Sequence, residues 1–288
     1  MGRYSIKELE KLSGIKAHTI RIWEKRHRLV EPQRTATNIR FYSDDDLKKI
    51  INVSLLNNNG VKISKIADMT EDELSESIVQ LSDTQNPTNL YIDQLIIAMI
   101  DMEEEQFEKL VSHLIMKFGF EKTILEIVYP FLEKIGVLWQ TGNITPAQEH
   151  FITNLIRQKI IVAIDSLPFA KPDAKRAVLF LPENELHDIG LLFYHYVVKK
   201  MGFKTYYLGQ HLPYQDLFQV CQIHKPEVII TSLIVSTKKE KTSNYLKSIL
   251  KDFPQIKVLA SGALLTKISI EAPNFHVFSN VASLRANL

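Results

Sequence analysis

The chain has one cysteine, Cys221, and that scarcity removes two classes of protein at once. No disulfide framework can form, and no cysteine-rich zinc site can be assembled. Long apolar runs are missing too: stretches such as Leu95–Ile100 fall far short of the roughly 20 residues that span a bilayer. The opening residues, Met1 to Lys7, contain no apolar signal core. A cytoplasmic protein with no membrane partner is therefore expected. Glycine is sparse, at 10 of 288 residues, which leans toward helix. An excess of one charge is also lacking, since 35 Lys+Arg against 33 Asp+Glu leave only +2. What is present is an apolar fraction of 45%, ordinary for folded protein and enough for two or three compact units.

The small net charge hides an asymmetry. Residues 1–70 hold 14 Lys+Arg and 8 Asp+Glu, a net of +6, and the remainder carries −4. A basic end on a mildly acidic body suits a DNA-binding module joined to an effector module. Ser5-Ile6-Lys7-Glu8 is a capping box, opening a short helix with Ile6, Leu9 and Leu12 on one face. Ser13-Gly14 turns the chain, and a second helix from about Lys16 carries Ile20 and Trp23 inward and Lys16, His18, Thr19 and Arg21 outward. Two short helices with a glycine turn form a helix-turn-helix, whose second helix enters the major groove. The basic turn from Arg34 to Tyr42, with Asn38 and Arg40, predicts a β-wing over phosphates, and Ser43 caps a further helix with Leu47, Ile50, Ile51 and Leu55.

These stretches, Ser5 to Leu9, Thr19 to Glu24, Asn38 to Tyr42 and Ser43 to Leu47, resemble in order the winged-helix domain of the MerR family. The resemblance implies a domain over residues 1–75 that reads double-stranded operator DNA as a homo-oligomer. The DNA-facing residues it implies are Lys16, His18, Thr19, Arg21, Arg34, Asn38, Arg40 and Tyr42. MerR-type metal sensors hold their ion through cysteines after this domain; none stands there, so metal sensing is not expected.

Residues 69–88 read as a polar, acidic linker with one helix at most. From Asn89 to about Leu167 the apolar positions repeat with helical period, and Thr145-Pro146 marks a helix start. Four helices over residues 89–168 predict a small bundle. After a second linker at Lys171–Lys175, strands at Ala177–Leu181, Lys204–Leu208, Val228–Ser232 and Lys257–Ala260 alternate with helices at Ile189–Met201, Tyr214–Ile223 and Ser243–Phe253. Near-continuous apolar strands in that alternation predict a parallel sheet covered on both faces over residues 176–288. Ligands in such sheets sit beyond the carboxyl ends of the strands.

The loop after the first strand contains Glu185, His187, Asp188 and Gly190. Glu185 can hold one ring nitrogen of His187 and leave the other for a metal. Glu-x-His-x-x-Gly here resembles the cobalamin-binding motif of flavodoxin-like corrinoid domains, in which the histidine is the lower cobalt ligand. Thr231-Ser232-Leu233 fits the Ser-x-Leu element of that family with threonine for serine. Ser261-Gly262 fits its Gly-Gly element with the first glycine lost, which puts the seat of the nucleotide tail in doubt. Earlier in the chain, Trp139 precedes Glu149-His150 by nine residues, and Trp-x9-Glu-His resembles the signature of CarH-type light-responsive repressors. Those proteins join MerR, helical-bundle and cobalamin modules in this order. The resemblance implies adenosylcobalamin, a cobalt corrinoid, with Trp139 and Glu149 against its adenosyl group and His150 as the upper cobalt ligand after photolysis. It implies a dimer or a dark-state tetramer and no enzymatic activity.

The fold class expected is thus multi-domain, α and α/β: a winged helix-turn-helix, a four-helix bundle and a flavodoxin-like (Rossmann-type) parallel sheet. Two other readings compete. A corrinoid methyltransferase component would share the bundle and sheet but leaves the helix-turn-helix unexplained. A regulator with a cofactor-free or other-ligand sensor domain draws its support from Ser261. Cys221 reads as core packing, Lys238–Lys241 as a solvated loop, and His195, His211 and His224 carry no partner pattern.

Overall fold

The computed structural model describes residues 3–58, 60–70, 73–74, 77, 88–140, 144–234 and 239–288. Most of the 69–88 linker and Lys238 therefore lie outside the described residues. The chain divides into two compact units, Met1–Leu155 and Ile156–Leu288.

In the first unit, α1 (Ile6–Ser13) starts on the Ser5–Glu8 capping box and stops at Gly14, which adopts φ 74° and returns its N–H to Glu10 O. A side chain would be strained there, so the tight turn into α2 (Ala17–His27) depends on glycine. Two short strands, β1 (Gln33–Arg34) and β2 (Arg40–Phe41), pair antiparallel as the wing. The bridge between Tyr4 and Tyr42 ties the start of the chain to the base of the wing. α3 (Asp44–Asn58) packs on α1 and buries Leu47, Ile50 and Ile51 completely, as Leu9 of α1 and Ile20 of α2 also are, and α4 (Ile63–Ala67) follows it.

Beyond the linker come α5 (Thr88–Ile100), α6 (Glu104–Phe118), α7 (Phe120–Thr123), a π-helical stretch (Ile124–Val128) and α8 (Tyr129–Gln140). Their shared core holds Leu95, Met99, Phe107, Leu114, Ile127 and Phe131, none more than 2% exposed. Inside it, Asp93 pairs with Lys134 at 2.8 Å; burial pushes the Asp93 carboxyl up and the lysine pulls it down. α9 (Pro146–Asp165) begins as expected, with the Thr145 hydroxyl accepting from Gln148 N–H and Pro146 in the first helical position. Gln148 also donates from Nε2 to Ile100 O, tying the start of α9 to the end of α5.

The second unit is built on five parallel strands, β3 (Arg176–Pro182), β4 (Lys204–Leu212), β5 (Val228–Ser232), β6 (Lys257–Ser261) and β7 (Phe275–Val277). Their order is β4-β3-β5-β6-β7, the flavodoxin-like arrangement in which the direction of winding reverses between β3 and β5. The intervening helices are α10 (Ile189–Lys200), α11 (Tyr214–His224) and α12 (Lys239–Asp252), and α13 (Val281–Ala286) closes the chain. Val178 and Phe180 of β3 share one core with Leu217 and Cys221 of α11 and Leu246 and Ile249 of α12. Cys221 is a core residue, and burial pushes its thiol up to about 12.

Three expectations need correction. β4 continues four residues past Leu208, to Leu212. Lys239 to Lys241 belong to α12 and are not loop. β7 and α13 add a strand and a helix that the apolar pattern does not predict.

Candidate cofactor site and nucleic-acid interface

The loop after β3 opens at the point where the sheet changes direction, and its polar groups are fastened one by one. Glu185 is buried, only 3% exposed, although it carries a carboxylate. Its Oε2 accepts from Ile234 N–H at 2.7 Å, which anchors the β3 loop to the segment leaving β5. Its Oε1 lies 2.7 Å from His187 Nδ1 and accepts from His187 N–H at 3.1 Å. A carboxylate only accepts, so Nδ1 carries the proton and the lone pair is left on Nε2. The His187 side chain is 56% exposed, so that nitrogen is presented outward.

Asp188, expected to face a ligand, is instead held by Arg157, with Nε 3.1 Å from one carboxylate oxygen and a terminal nitrogen 2.9 Å from the other. Gly190, in the first turn of α10, would meet no atom within 4 Å if it carried a Cβ, so the space above it is open. Thr231 is fully buried, and among the described residues its hydroxyl has no hydrogen-bond partner.

Ser261 and Gly262 behave differently from the expectation. Ser261 is 3% exposed and its hydroxyl donates to Ser232 Oγ at 3.2 Å. A second partner is Tyr194, whose phenol burial pushes up and this bond draws down. The extra hydroxymethyl group is therefore taken up inside the fold. Gly262 adopts φ 117°, and a Cβ there would stand 2.1 Å from Leu233 O. Leu233, 4% exposed, donates its N–H to Ser261 O at 2.8 Å. Glycine is needed here by the contact between two loop backbones.

In the first unit Trp139 is 48% exposed, a large apolar surface for an indole. His150 is 72% exposed, and its Nδ1 lies 2.8 Å from Glu149 Oε2.

The helix-turn-helix presents Lys16, His18 and Arg21 at its surface, with Thr19 half-buried; Lys16 also pairs with Glu10 at 3.0 Å. In the wing, Arg34 donates to Asn38 Oδ1 at 2.7 Å, and Asn38 takes the left-handed conformation (φ 63°) that asparagine tolerates. Arg40 is half-buried and bound to Glu24 at 3.2 Å. Tyr42, expected among the DNA-facing residues, is fully buried, with its hydroxyl donating to Glu24. Burial and that carboxylate push its phenol up to about 12. Tyr42 is a strut between wing and α2, because Glu24 gathers both Arg40 and Tyr42.

Residues 4–73 match the MerR HTH family regulatory proteins, and residues 91–163 match the B12 binding domain family. The chain joins a MerR-type helix-turn-helix to a B12-binding domain. It is 23% identical over 267 residues to the HTH-type transcriptional repressor CarH of Myxococcus xanthus, covering 90% of this chain and 89% of that one. It is also 23% identical to the HTH-type transcriptional repressor CarA of the same organism, covering 89% of this chain and 85% of the relative. Among solved structures, the monomethylamine corrinoid protein of Methanosarcina barkeri superposes with a TM-score of 0.56 at 17% identity, covering 68% of this chain and 97% of that protein. That likeness is one of fold. No helix among the described residues is long and apolar enough to cross a membrane.

Two residues of this chain, with its MerR-type and B12-binding domains, carry no clear signal in the local sequence. Glu24, the hub of the wing, looks like any polar helix residue, although its place directly after buried Trp23 hinted at a semi-buried face. Arg157 stands among Leu155, Ile156 and Ile160, and only its isolation in that apolar stretch marked it.

Proposed function

We propose that this chain is a B12-dependent transcriptional repressor that uses adenosylcobalamin as a light-sensing cofactor. The observation that carries the reading is the buried Glu185 carboxylate that turns His187 Nε2 outward at the switch point of the sheet. The open space over Gly190 and the unpartnered Thr231 hydroxyl fit a bulky polar ligand lying across the strand ends. The MerR-type domain and the likeness to CarH and CarA support DNA as the output, which a methyltransferase component would not need.

In this reading His187 would hold cobalt through Nε2 as the lower ligand, with Glu185 fixing its tautomer. When bound, adenosylcobalamin supplies a cobalt–carbon bond that visible light breaks. Trp139 and Glu149 would cover its adenosyl group, which would bury the exposed indole. His150, with Nδ1 beside Glu149 Oε2, would have Nε2 free to serve as a second, upper cobalt ligand once the adenosyl group is gone. Arg21 and its neighbours on α2 read bases while Arg34 and Arg40 hold phosphates. The chain binds double-stranded operator DNA as a homo-oligomer in the cytoplasm.

The test is the absorption spectrum of the chain loaded with adenosylcobalamin in the dark. A base-off, histidine-ligated spectrum is expected, and His187→Ala should weaken binding at least tenfold without lowering the melting temperature, because the ring is mostly exposed. Equal affinity in mutant and parent would sink the assignment.

A further inference from the structure

Asp188 stands at the position before α10, where an aspartate ordinarily accepts from the first free N–H groups of a helix. Here its side chain makes no such bond. Both carboxylate oxygens are turned to the Arg157 guanidinium, at 3.1 and 2.9 Å, in the parallel two-bond geometry that fixes direction as well as distance. The pair is largely withdrawn from water, the Asp188 side chain being 11% exposed and that of Arg157 28%. A capping role has been exchanged for a tie to a residue 31 positions earlier.

What that tie holds is the peptide segment on either side of His187. Asp188 N–H donates to Leu186 O at 3.0 Å, closing a tight turn around the histidine. Gln210 Nε2 also donates to Leu186 O, at 2.6 Å. The histidine backbone is thus pinned from its C-terminal side by Arg157 through Asp188, while Glu185 pins ring and backbone from the N-terminal side. Glu185 fixes the tautomer, but rotation about its bond to Nδ1 leaves the direction of Nε2 open. The second anchor removes that freedom.

We propose that Arg157 is the positioning residue of the lower-ligand loop, setting the direction in which His187 presents Nε2 to cobalt. The proposal rests on the cofactor reading above and adds to it a residue outside the Glu-x-His-x-x-Gly stretch. Loss of the pair releases the turn, so the imidazole samples several directions and coordinates cobalt in only a fraction of molecules. Lysine in place of Arg157 keeps the charge but loses the two-bond fork.

The experiment uses the full chain and its Arg157→Ala, Arg157→Lys and Asp188→Asn variants. Melting temperature is recorded for each, and hydrogen exchange is followed over residues 183–189 without cofactor. Cob(II)alamin is then added to 15N-histidine-labelled protein, and the nitrogen splitting of the cobalt resonance reports histidine coordination. Arg157→Ala and Asp188→Asn should each speed exchange in the loop at least tenfold, weaken cob(II)alamin binding at least tenfold and reduce the 15N splitting. A fourth variant that combines Arg157→Ala with Asp188→Asn should be no worse than either single one, and Arg157→Lys should fall between them and the parent. Unchanged exchange, or full 15N splitting at parental affinity despite faster exchange, would overturn the proposal; so would a lower melting temperature as the sole effect. A parent chain that takes up no cob(II)alamin would overturn the cofactor reading itself, and this proposal with it, which separates the two failures.

Discussion

At the scale of single residues, two glycines near the strand ends carry opposite constraints. Gly262 has φ 117°, and its missing Cβ lets Leu233 O come within bond-like distance of that position. Gly262→Ala should therefore destabilise the second unit by about 3 kcal/mol or more, since backbone strain and backbone overlap add. Gly190 has ordinary helical backbone and open space above it. Gly190→Ala should stabilise the apo chain by about 0.5 kcal/mol, through the lower entropy of the unfolded chain. The same methyl group should weaken cobalamin binding. Thermal melts with and without adenosylcobalamin check both; a Gly190→Ala chain that binds as the parent does would remove that position from the site. His195 sets a pH dependence. Burial, and secondarily Lys199, press its imidazole down to about 4 from an ordinary 6.5. The unfolded chain then binds a proton that the folded chain refuses, so the stability is complete above pH 6.5 and is lost as pH falls toward 4. His195→Phe keeps the ring that stacks on Tyr207 at 5.0 Å and removes the proton site. The drop in melting temperature between pH 7 and pH 4.5 should be smaller in that variant than in the parent.

At the scale of elements, the proposed function assigns the wing and α2 two different kinds of DNA contact. Arg21 is exposed on α2 and Arg34 is exposed on the wing, so the proposed reading gives base edges to the first and phosphates to the second. Arg34→Ala should weaken all sequences alike and flatten the salt dependence of binding by about one unit of slope, while Arg21→Ala should relax sequence preference. Arg40→Ala is the less clean experiment, because it also frees Glu24 and unsettles Tyr42. Titrations of operator and random duplex at several salt concentrations distinguish these outcomes; equal discrimination by parent and Arg21→Ala would take α2 out of the groove. Elements were legible where period and punctuation agreed. The Ser5 capping box, Thr145-Pro146 and the strand Val228–Ser232 are each written in a few adjacent residues. β7 escaped because it has only three residues, with polar His276 at its centre, and it is recognised as a strand only by pairing with β6. The π-helical stretch at Ile124–Val128 has no composition of its own. Tyr42 was misjudged for a related reason: an aromatic hydroxyl in a basic segment suggests phosphate, and burial decided otherwise. Glu185 and His187 were legible as a pair because two-residue spacing at a strand end suffices for the contact. Arg157 was not, since its partner lies 31 residues away and only the fold brings them together.

At the scale of the whole molecule, the proposed switch must convert a change at one cofactor into a change in DNA occupancy. A shift from nearly all bound to nearly all released requires a difference of about 5.5 kcal/mol between the two states. Exposed Trp139 is well placed to contribute, because an indole that gains and loses a packing partner changes the burial of a large apolar surface. Half of such a side chain amounts to about 1–2 kcal/mol per protomer, and a homo-oligomer sums that term over its copies. One protomer alone falls short of the requirement, so coupling through assembly is the economical route to a complete response. The expected outcome is that chain loaded with adenosylcobalamin in the dark forms the larger species, a tetramer. Green light should reduce its mass and its operator affinity together. His150→Ala should leave the photochemistry intact but yield a product without the second histidine, which loses cobalamin faster. Trp139→Ala should weaken the dark assembly without affecting His187 ligation, because it removes the packing and leaves the lower ligand alone. Light scattering coupled to size exclusion, run before and after illumination with parallel operator titrations, measures all of this. A cobalamin-loaded chain whose mass and operator affinity both ignore green light would leave a B12-binding regulator whose signal is cofactor supply.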